Sequence, residues 1–180
     1  MDRSIELIPL VCLRCSTSIP AEPEEVAWVC AQCGQGMHLD QNNGLQPLEV
    51  SFSAAILPGK TGRPFWVTRA TVSLARQTYG SGDRQLHESE EFWRIPRTFF
   101  VPAFTTTLEN LLDQAAGHLL KPPDLIPGPA APFEPVTLQL EDVQAGVEFI
   151  VVAVEAGRKD RLKKLDLNLQ ITPPSLWILP

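Results

Sequence analysis

Cys12-Leu13-Arg14-Cys15 and, after fourteen further residues, Cys30-Ala31-Gln32-Cys33 decide how the amino-terminal part of this chain folds. Two intervening residues let each backbone turn so that both sulfurs of a pair point at one ion, and two pairs supply four thiolates at about 2.3 Å each. Gly34 gives the second turn a permissive backbone. All four cysteines lie in the first 33 residues, so they serve a local purpose. Two disulfides fit poorly with a chain that shows no export signal. A redox pair needs a strand-to-helix junction, whereas both pairs here follow short apolar approaches, Ile8–Val11 and Val26–Val29. The spacing therefore points to one metal ion bound by Cys12, Cys15, Cys30 and Cys33, zinc first and iron held by the same four sulfurs second.

This arrangement resembles a zinc ribbon, a small β module whose two Cys-x-x-Cys knuckles sit at the tips of adjacent hairpins. The resemblance covers about residues 5–46 and implies that the four cysteines are the ligands of one structural Zn2+. Ser16 stands where the first knuckle often carries glycine. His38, on an expected strand Gly36–Leu39, is read as an ordinary exposed residue and not as a ligand. Four thiolates close the tetrahedron, whereas catalytic zinc keeps a position open. In so small a module metal binding supplies much of the folding free energy.

With 180 residues, 44% hydrophobic and 20% charged, the chain suits a small module joined to a larger domain with its own core. The boundary is expected after the turn-forming run Asp40–Gly44, giving a zinc ribbon over 1–46 and a second domain over 47–180. Val50, Phe52, Ala54 and Ile56 alternate and then meet Pro58-Gly59-Lys60-Thr61-Gly62, which predicts a strand and a hairpin. Trp66–Gln77 reads as strand, Tyr79–Asp83 as a turn and Glu91–Val101 as extended structure, so 48–104 is expected to be strand-rich. A helix is expected over 106–120, with Thr106–Glu109 as capping box and Leu108, Leu111, Leu112, Ala115 and Leu119 as its apolar stripe. Six prolines over 122–135 predict a stiff extended connection.

Residues 136–180 read as strand, helix, strand. Val143, Val147, Ile150, Val151 and Val154 make a helical stripe in a β-branched run, and Gly157 tilts 141–156 toward helix. Leu165, Leu167, Leu169 and Ile171 alternate with polar residues as a half-buried strand. The apolar tail Pro173–Pro180 is expected to dock, on its own domain or on another chain. The fold class is α+β: the ribbon, then a mixed domain of mainly antiparallel strands with one or two helices.

No catalytic constellation stands out. His38, His87 and His118 fall on three different elements, and Pro58-Gly59-Lys60-Thr61 lacks the earlier glycine of a phosphate loop, having Ala54 there. Glu88, Glu90 and Glu91 read as a solvated face. Any hidden active site of an accessory enzyme subunit would gather His87, Arg94 or Arg97. Residues 1–46 carry Asp2, Glu6, Glu22, Glu24, Glu25 and Asp40 against Arg3 and Arg14, a balance of −4 that disfavours phosphate. Arg158, Lys159, Arg161, Lys163 and Lys164 form one basic run, the best place for an anionic partner in a transcription-associated factor. The start of the chain has no basic and apolar leader, and the longest strongly apolar run, Phe149–Val154, is far shorter than a spanning helix. The expectation is a non-enzymatic, cytoplasmic interaction or scaffold protein, with Trp28 and Trp177 as exposed anchors for protein partners and nucleic acid disfavoured.

Overall fold

The computed structural model describes residues 9–79 and 83–180, so most of the expected Tyr79–Asp83 turn and the first residue of the Ile8–Val11 approach lie outside the described residues. The chain is α+β. A first sheet of three antiparallel strands, in the order β1 (Ala27–Val29), β2 (Gly36–Asp40), β3 (Gly44–Leu48), carries the cysteine knuckles at one end. Asp40 makes the β2–β3 turn by accepting the amides of Asn42 and Asn43 at 2.9 and 2.7 Å, the backbone capture that short acidic side chains favour in turns. The described part of the first approach, Pro9 to Val11, is not a strand of this sheet: Val11 makes an isolated bridge to Ser18.

Beyond Glu49 the chain enters a second sheet. It comprises β4 (Val50–Phe52), β5 (Arg63–Thr78), β6 (Arg97–Pro102), β7 (Leu162–Ile171) and β8 (Ser175–Leu179), in the order β4-β8-β5-β6 with β7 also on β5. Three helices, α1 (Asp83–Trp93), α2 (Leu108–Leu120) and α3 (Val143–Ala156), complete the fold, α3 being entered through a 3-10 turn at Leu140–Asp142. β5 is the axis of the sheet. Its first half is buried between β6 and β8, and its second half alternates exposed residues with buried Val72 and then half-buried ones against β7.

Several expectations are corrected. The hairpin around Pro58–Gly62 does not form, because β8 inserts between β4 and β5 and pairs β4 in parallel, Val50 with Leu176 and Phe52 with Ile178. The apolar tail is thus an internal strand of its own chain. Ile178 and Leu176 are buried there, which is what its composition required. The β4 strand stops at Phe52, short of Ile56. There are three helices among the described residues where one or two were expected: α1 occupies most of the polar stretch before Pro96, and extended structure resumes only at Arg97. Its sequence hides few apolar groups, holding Ser89 and Trp93 inside instead. The spaced pairs Arg84–Glu88 and Glu91–Arg94, both 2.8 Å, are the helical signal the composition did offer.

The other helices form where expected. α2 starts one residue later than the capping box implied: Thr107, in extended conformation, accepts the Asn110 amide at 3.3 Å. α3 settles 141–156 as helix because Val143, Val147, Ile150 and Val151 are all buried on one face. The proline-rich segment packs over the surface without regular structure. Ala54 and Gly62 donate to Ile126 and Pro132 carbonyls, both at 2.8 Å. Gly128 passes so close to Ala54 that a Cβ there would stand 2.5 Å from the Ala54 Cα.

Three clusters of buried side chains result. The largest joins Trp66, Phe99, Val101, Val147, Ile150 and Ile178, with Ala27 from β1 and Val136 sealing the seam between the sheets. Val26 donates to the Val136 carbonyl at 2.8 Å across that seam. The small cluster under the cysteines contains only Cys12, Ile19, Trp28, Cys30 and Met37 as buried members among the described residues.

Candidate metal centre

The two cysteine turns are built alike. Cys12 donates its amide to the Thr17 carbonyl at 2.8 Å, and Cys30 donates to the Gln35 carbonyl at 2.9 Å. Four residues after the first cysteine of each pair, Ser16 and Gly34 return amide hydrogen bonds to Cys12 and Cys30 carbonyls, at 2.9 and 2.8 Å. Both of those residues lie in the left-handed region, with φ of 59° for Ser16 and 74° for Gly34. The Arg14 amide points at the Cys12 sulfur from 3.4 Å, a donor placed to stabilise a thiolate. Equal local geometry at two separated stretches brings all four sulfurs within 4.8 Å of one another.

These distances fit a metal. Cys12 Sγ lies 3.5 Å from Cys33 Sγ, and Cys15 Sγ lies 3.6 Å from Cys30 Sγ. A tetrahedron with sulfur about 2.3 Å from its centre has edges of roughly 3.8 Å. The four-thiol donor set suits zinc, and iron of the rubredoxin type, and leaves no side for water or substrate. The site is consistent with a zinc-ribbon-like centre.

The thiols differ in their readiness to ionise. Thr17 lies beside Cys15, its hydroxyl oxygen 3.2 Å from the sulfur, and its hydroxyl and amide together hold the Cys15 thiol down to about 6. At Cys33 the Gln35 amide favours the thiolate, but burial and the three neighbouring sulfurs outweigh it and push the thiol up to about 12. Burial, with a smaller push from the Cys15 thiol, raises Cys12, yet the amides of Cys15 and Arg14 and the Cys33 thiol more than reverse this. Thr17 was not legible as part of the site, since only the fold of the first turn brings it back onto Cys15.

Serine in the left-handed region carries a steric penalty that glycine avoids, so Ser16→Gly is expected to raise the stability of the metal-loaded module by about 1 kcal/mol. Thermal or denaturant melts of the two proteins check it, and a Ser16→Gly protein that melts lower overturns it. Protons, for their part, compete with the metal for thiolates. At pH 7 Cys15, at about 6, is already largely ionised and releases almost nothing on binding, whereas Cys33, at about 12, releases a full proton. As pH falls through about 6, Cys15 becomes protonated too, and binding must displace one proton more. The logarithm of the affinity therefore falls more steeply below about pH 6 than above it, and Thr17→Ala moves the break to higher pH. Competition titrations against a coloured chelator across that range measure this; a constant slope is the contrary result.

The remaining candidate residues are dispersed. His38 is not exposed as expected but 9% accessible on β2, opposite Ala27 and Gln46, and it is not among the clustered ligands. His118 is half-buried and not solvent-facing: its ring sits 5.2 Å from that of Phe65 and 5.3 Å from that of Phe100, and burial, aided by Arg63, lowers its pKa. His87 is exposed on α1. Arg94 pairs with Glu91 at the surface, and Arg97 donates to the Phe92 carbonyl over the Phe92 ring, so the three do not form a pocket together. Trp28 is 7% accessible, its indole N–H given to Glu25 at 2.9 Å, and Trp177 is half-buried, so neither is the free anchor expected. The basic run is broken up as well. Arg158 turns inward to Glu155 at 2.8 Å, Lys164 pairs with Asp166 at 2.8 Å, and Lys163 lies over Tyr79.

A second polar cluster escaped sequence reading altogether. Glu155 of α3, fully buried, meets Arg76 of β5 at 3.1 Å, Ser89 and Trp93 of α1 at 2.9 and 2.7 Å, and Arg158. Arg76 continues to Asp160 at 2.9 Å. Two carboxylates and two guanidinium groups balance, and the cluster ties three elements together.

Two open cavities, of about 360 and 210 Å³, border the seam between the sheets and share Glu25 and Pro135. The larger adds Glu22, Glu24, Thr105 and Thr137, with no histidine or nucleophile beside a base among the described residues that line it. No helix among the described residues is long and apolar enough to cross a membrane. Comparison of the chain with protein-family models, with curated proteins and with solved structures gives no match in any of the three.

Proposed function

We propose that this is a non-enzymatic zinc-binding interaction protein, working in the cytoplasm as a subunit or adaptor of a larger assembly. The module expected over 1–46, whose last strand runs on to Leu48, is a zinc ribbon held by one structural Zn2+ on Cys12, Cys15, Cys30 and Cys33, and the rest of the chain forms the second domain. The observation that carries this reading is the closure of the sulfur cage: each of four thiols faces the others within 4.8 Å, so a bound ion has its coordination filled by protein. When bound, zinc supplies four bonds that tie two distant turns together. The chain's own part is to pre-shape those turns, through the paired amide bonds at Ser16 and Gly34, and to favour thiolate at Cys15 through Thr17.

The reading as a binding module also draws support from charge. Residues 1–46 balance at −4, and the basic run commits Arg158 and Lys164 to carboxylates of the same chain, so a phosphate backbone finds little to hold. The test has two arms. Metal analysis of the purified chain should find one zinc per chain, lost when the four cysteines become serine; a metal-free folded protein or one iron per chain sinks the zinc assignment. Affinity purification from the native cell followed by mass spectrometry should recover a stoichiometric protein partner. Recovery of none, or a salt-sensitive shift of DNA or RNA by the pure protein, overturns the scaffold reading.

A further inference from the structure

β7 leaves one side of its backbone unpaired, and its hydrogen-bonding parity can be worked out. Ala103 donates to the Pro64 carbonyl, so even-numbered residues of β5 turn toward β6. Odd-numbered ones turn the other way, as Thr172 donating to the Arg69 carbonyl confirms. The register pairs Thr71 with Gln170, Ser73 with Asn168, Ala75 with Asp166 and Gln77 with Lys164. Lys164, Asp166, Asn168 and Gln170 therefore direct their backbone groups to β5. The N–H and C=O groups of Leu165, Leu167 and Leu169 point outward, and no backbone hydrogen bond among the described residues takes them up. The leucine side chains on the inner face are only half-buried.

Such an edge is a template for another strand. The outer edge of β4, by contrast, is covered by the proline-rich segment, where Gly128 donates to the Phe52 carbonyl at 2.7 Å. We infer that the open edge of β7 pairs antiparallel with β7 of a second copy of this chain, around a twofold axis at Leu167. The inference does not depend on the metal centre.

The register follows from three constraints. Opposed residues must share a face, so odd numbers meet odd numbers. Regular pairing is limited to Lys164–Ile171, because the β5–β7 register shifts between Lys164 and Leu162. Centring on Asp166 would set that carboxylate against its own copy, which is unfavourable. Centring on Leu165 would carry the pairing past the shift, and centring on Asn168 would set Lys164 opposite Thr172, beyond the end of the strand, with no amide to meet it. Centring on Leu167 uses Lys164 to Gln170 symmetrically. It sets Leu165 opposite Leu169 and Leu167 opposite itself on the inner face, and Asp166 opposite Asn168 and Lys164 opposite Gln170 on the outer. Leucine meets leucine, and each charged group meets an amide able to bond it. The outward groups of Leu165, Leu167 and Leu169 are the ones this register needs. Asp166 and Asn168 then fall at the closer, non-hydrogen-bonded positions, where cross-strand side chains interact most strongly.

The test is the oligomeric state, read by sedimentation equilibrium from micromolar to about millimolar chain. The 19.9 kDa chain should pass to twice that mass as concentration rises. Asn168→Asp places two like-charge pairs in the interface and should weaken association at least about tenfold, while Asn168→Lys should tighten it. Asn168 is exposed in the single chain, so both variants are expected to fold. Leu167→Pro removes the central outward amide and should give monomer, with circular dichroism confirming its fold. A wild-type chain that stays monomeric over the whole range overturns the inference. So does a dimer equally stable in Asn168→Asp and Asn168→Lys, which would place the contact on another surface.

Discussion

Replacing Cys30 by serine, or stripping the metal with a chelator, is expected to unfold β1, β2 and β3 and their knuckles while the larger sheet persists. Cys30 is buried, and its sulfur is 3.6 Å from that of Cys15. Without the four bonds, the cluster beneath the knuckles retains Ile19, Trp28 and Met37 as its buried apolar side chains. So small a core does not offset the cost of ordering the chain, about 1–2 kcal/mol per residue. Metal binding contributes on the order of 10 kcal/mol in comparable modules, which makes this the largest effect expected of any single change. Amide hydrogen exchange over residues 26–48 reads it directly: protection there should be lost with the metal and restored by adding zinc. The seam transmits part of the loss, since Val26 and Ala27 pair with Val136, but β5 to β8 should keep their protection. Full protection of β2 in the Cys30→Ser protein would refute the account.

The second large effect belongs to Glu155. Truncation to alanine should destabilise the protein by about 3–5 kcal/mol, the loss typical when one partner of a buried ion pair is removed. Its carboxylate is wholly inaccessible and accepts from Trp93 and Arg158 at one oxygen and from Ser89 at the other, where Arg76 also lies 3.1 Å away. Alanine would leave the Arg76 side chain, 1% accessible, with Asp160 as its one remaining carboxylate among the described residues, and would orphan the Ser89 and Trp93 donors. The penalty comes from those stranded groups. Replacing Glu155 by leucine, Arg76 by methionine and Asp160 by asparagine together should therefore cost less than Glu155→Ala alone, because the guanidinium and both carboxylates that face it leave together. Urea unfolding of the three proteins measures this. A Glu155→Ala protein within about 1 kcal/mol of wild type, or a triple variant that is worse than the single, would show the cluster is not the tie described.

What could be read from the chain beforehand was set by range. The four cysteines, the helical stripe of α3, the alternation of Leu165 to Ile171 and the Asp40 turn are local patterns, in which the residues that matter are a few positions apart. α1 was missed because its fixing contacts are polar: Ser89 and Trp93 hold to Glu155, 66 and 62 residues away, so no apolar stripe announces it. His38 and Trp28 looked exposed for a related reason. Each lies on a strand paired with another, His38 opposite Ala27 and Trp28 opposite Met37, and burial of a polar or aromatic residue depends on such a neighbour.

Sequence alone determined the sulfur cage, the α+β class and most helix and strand positions, since hydrophobic period and ligand spacing act over single turns and short strands. The tertiary structure decided the strand order. Phe52 and Ile178 are parallel neighbours because inserting the apolar tail beside β5 buries Leu176, Ile178 and Leu179 at once. It likewise brought Arg76, Ser89, Glu155 and Asp160 into one cluster. Such pairings are chosen by what the whole core gains when distant chain segments come together, and no local pattern carries that information.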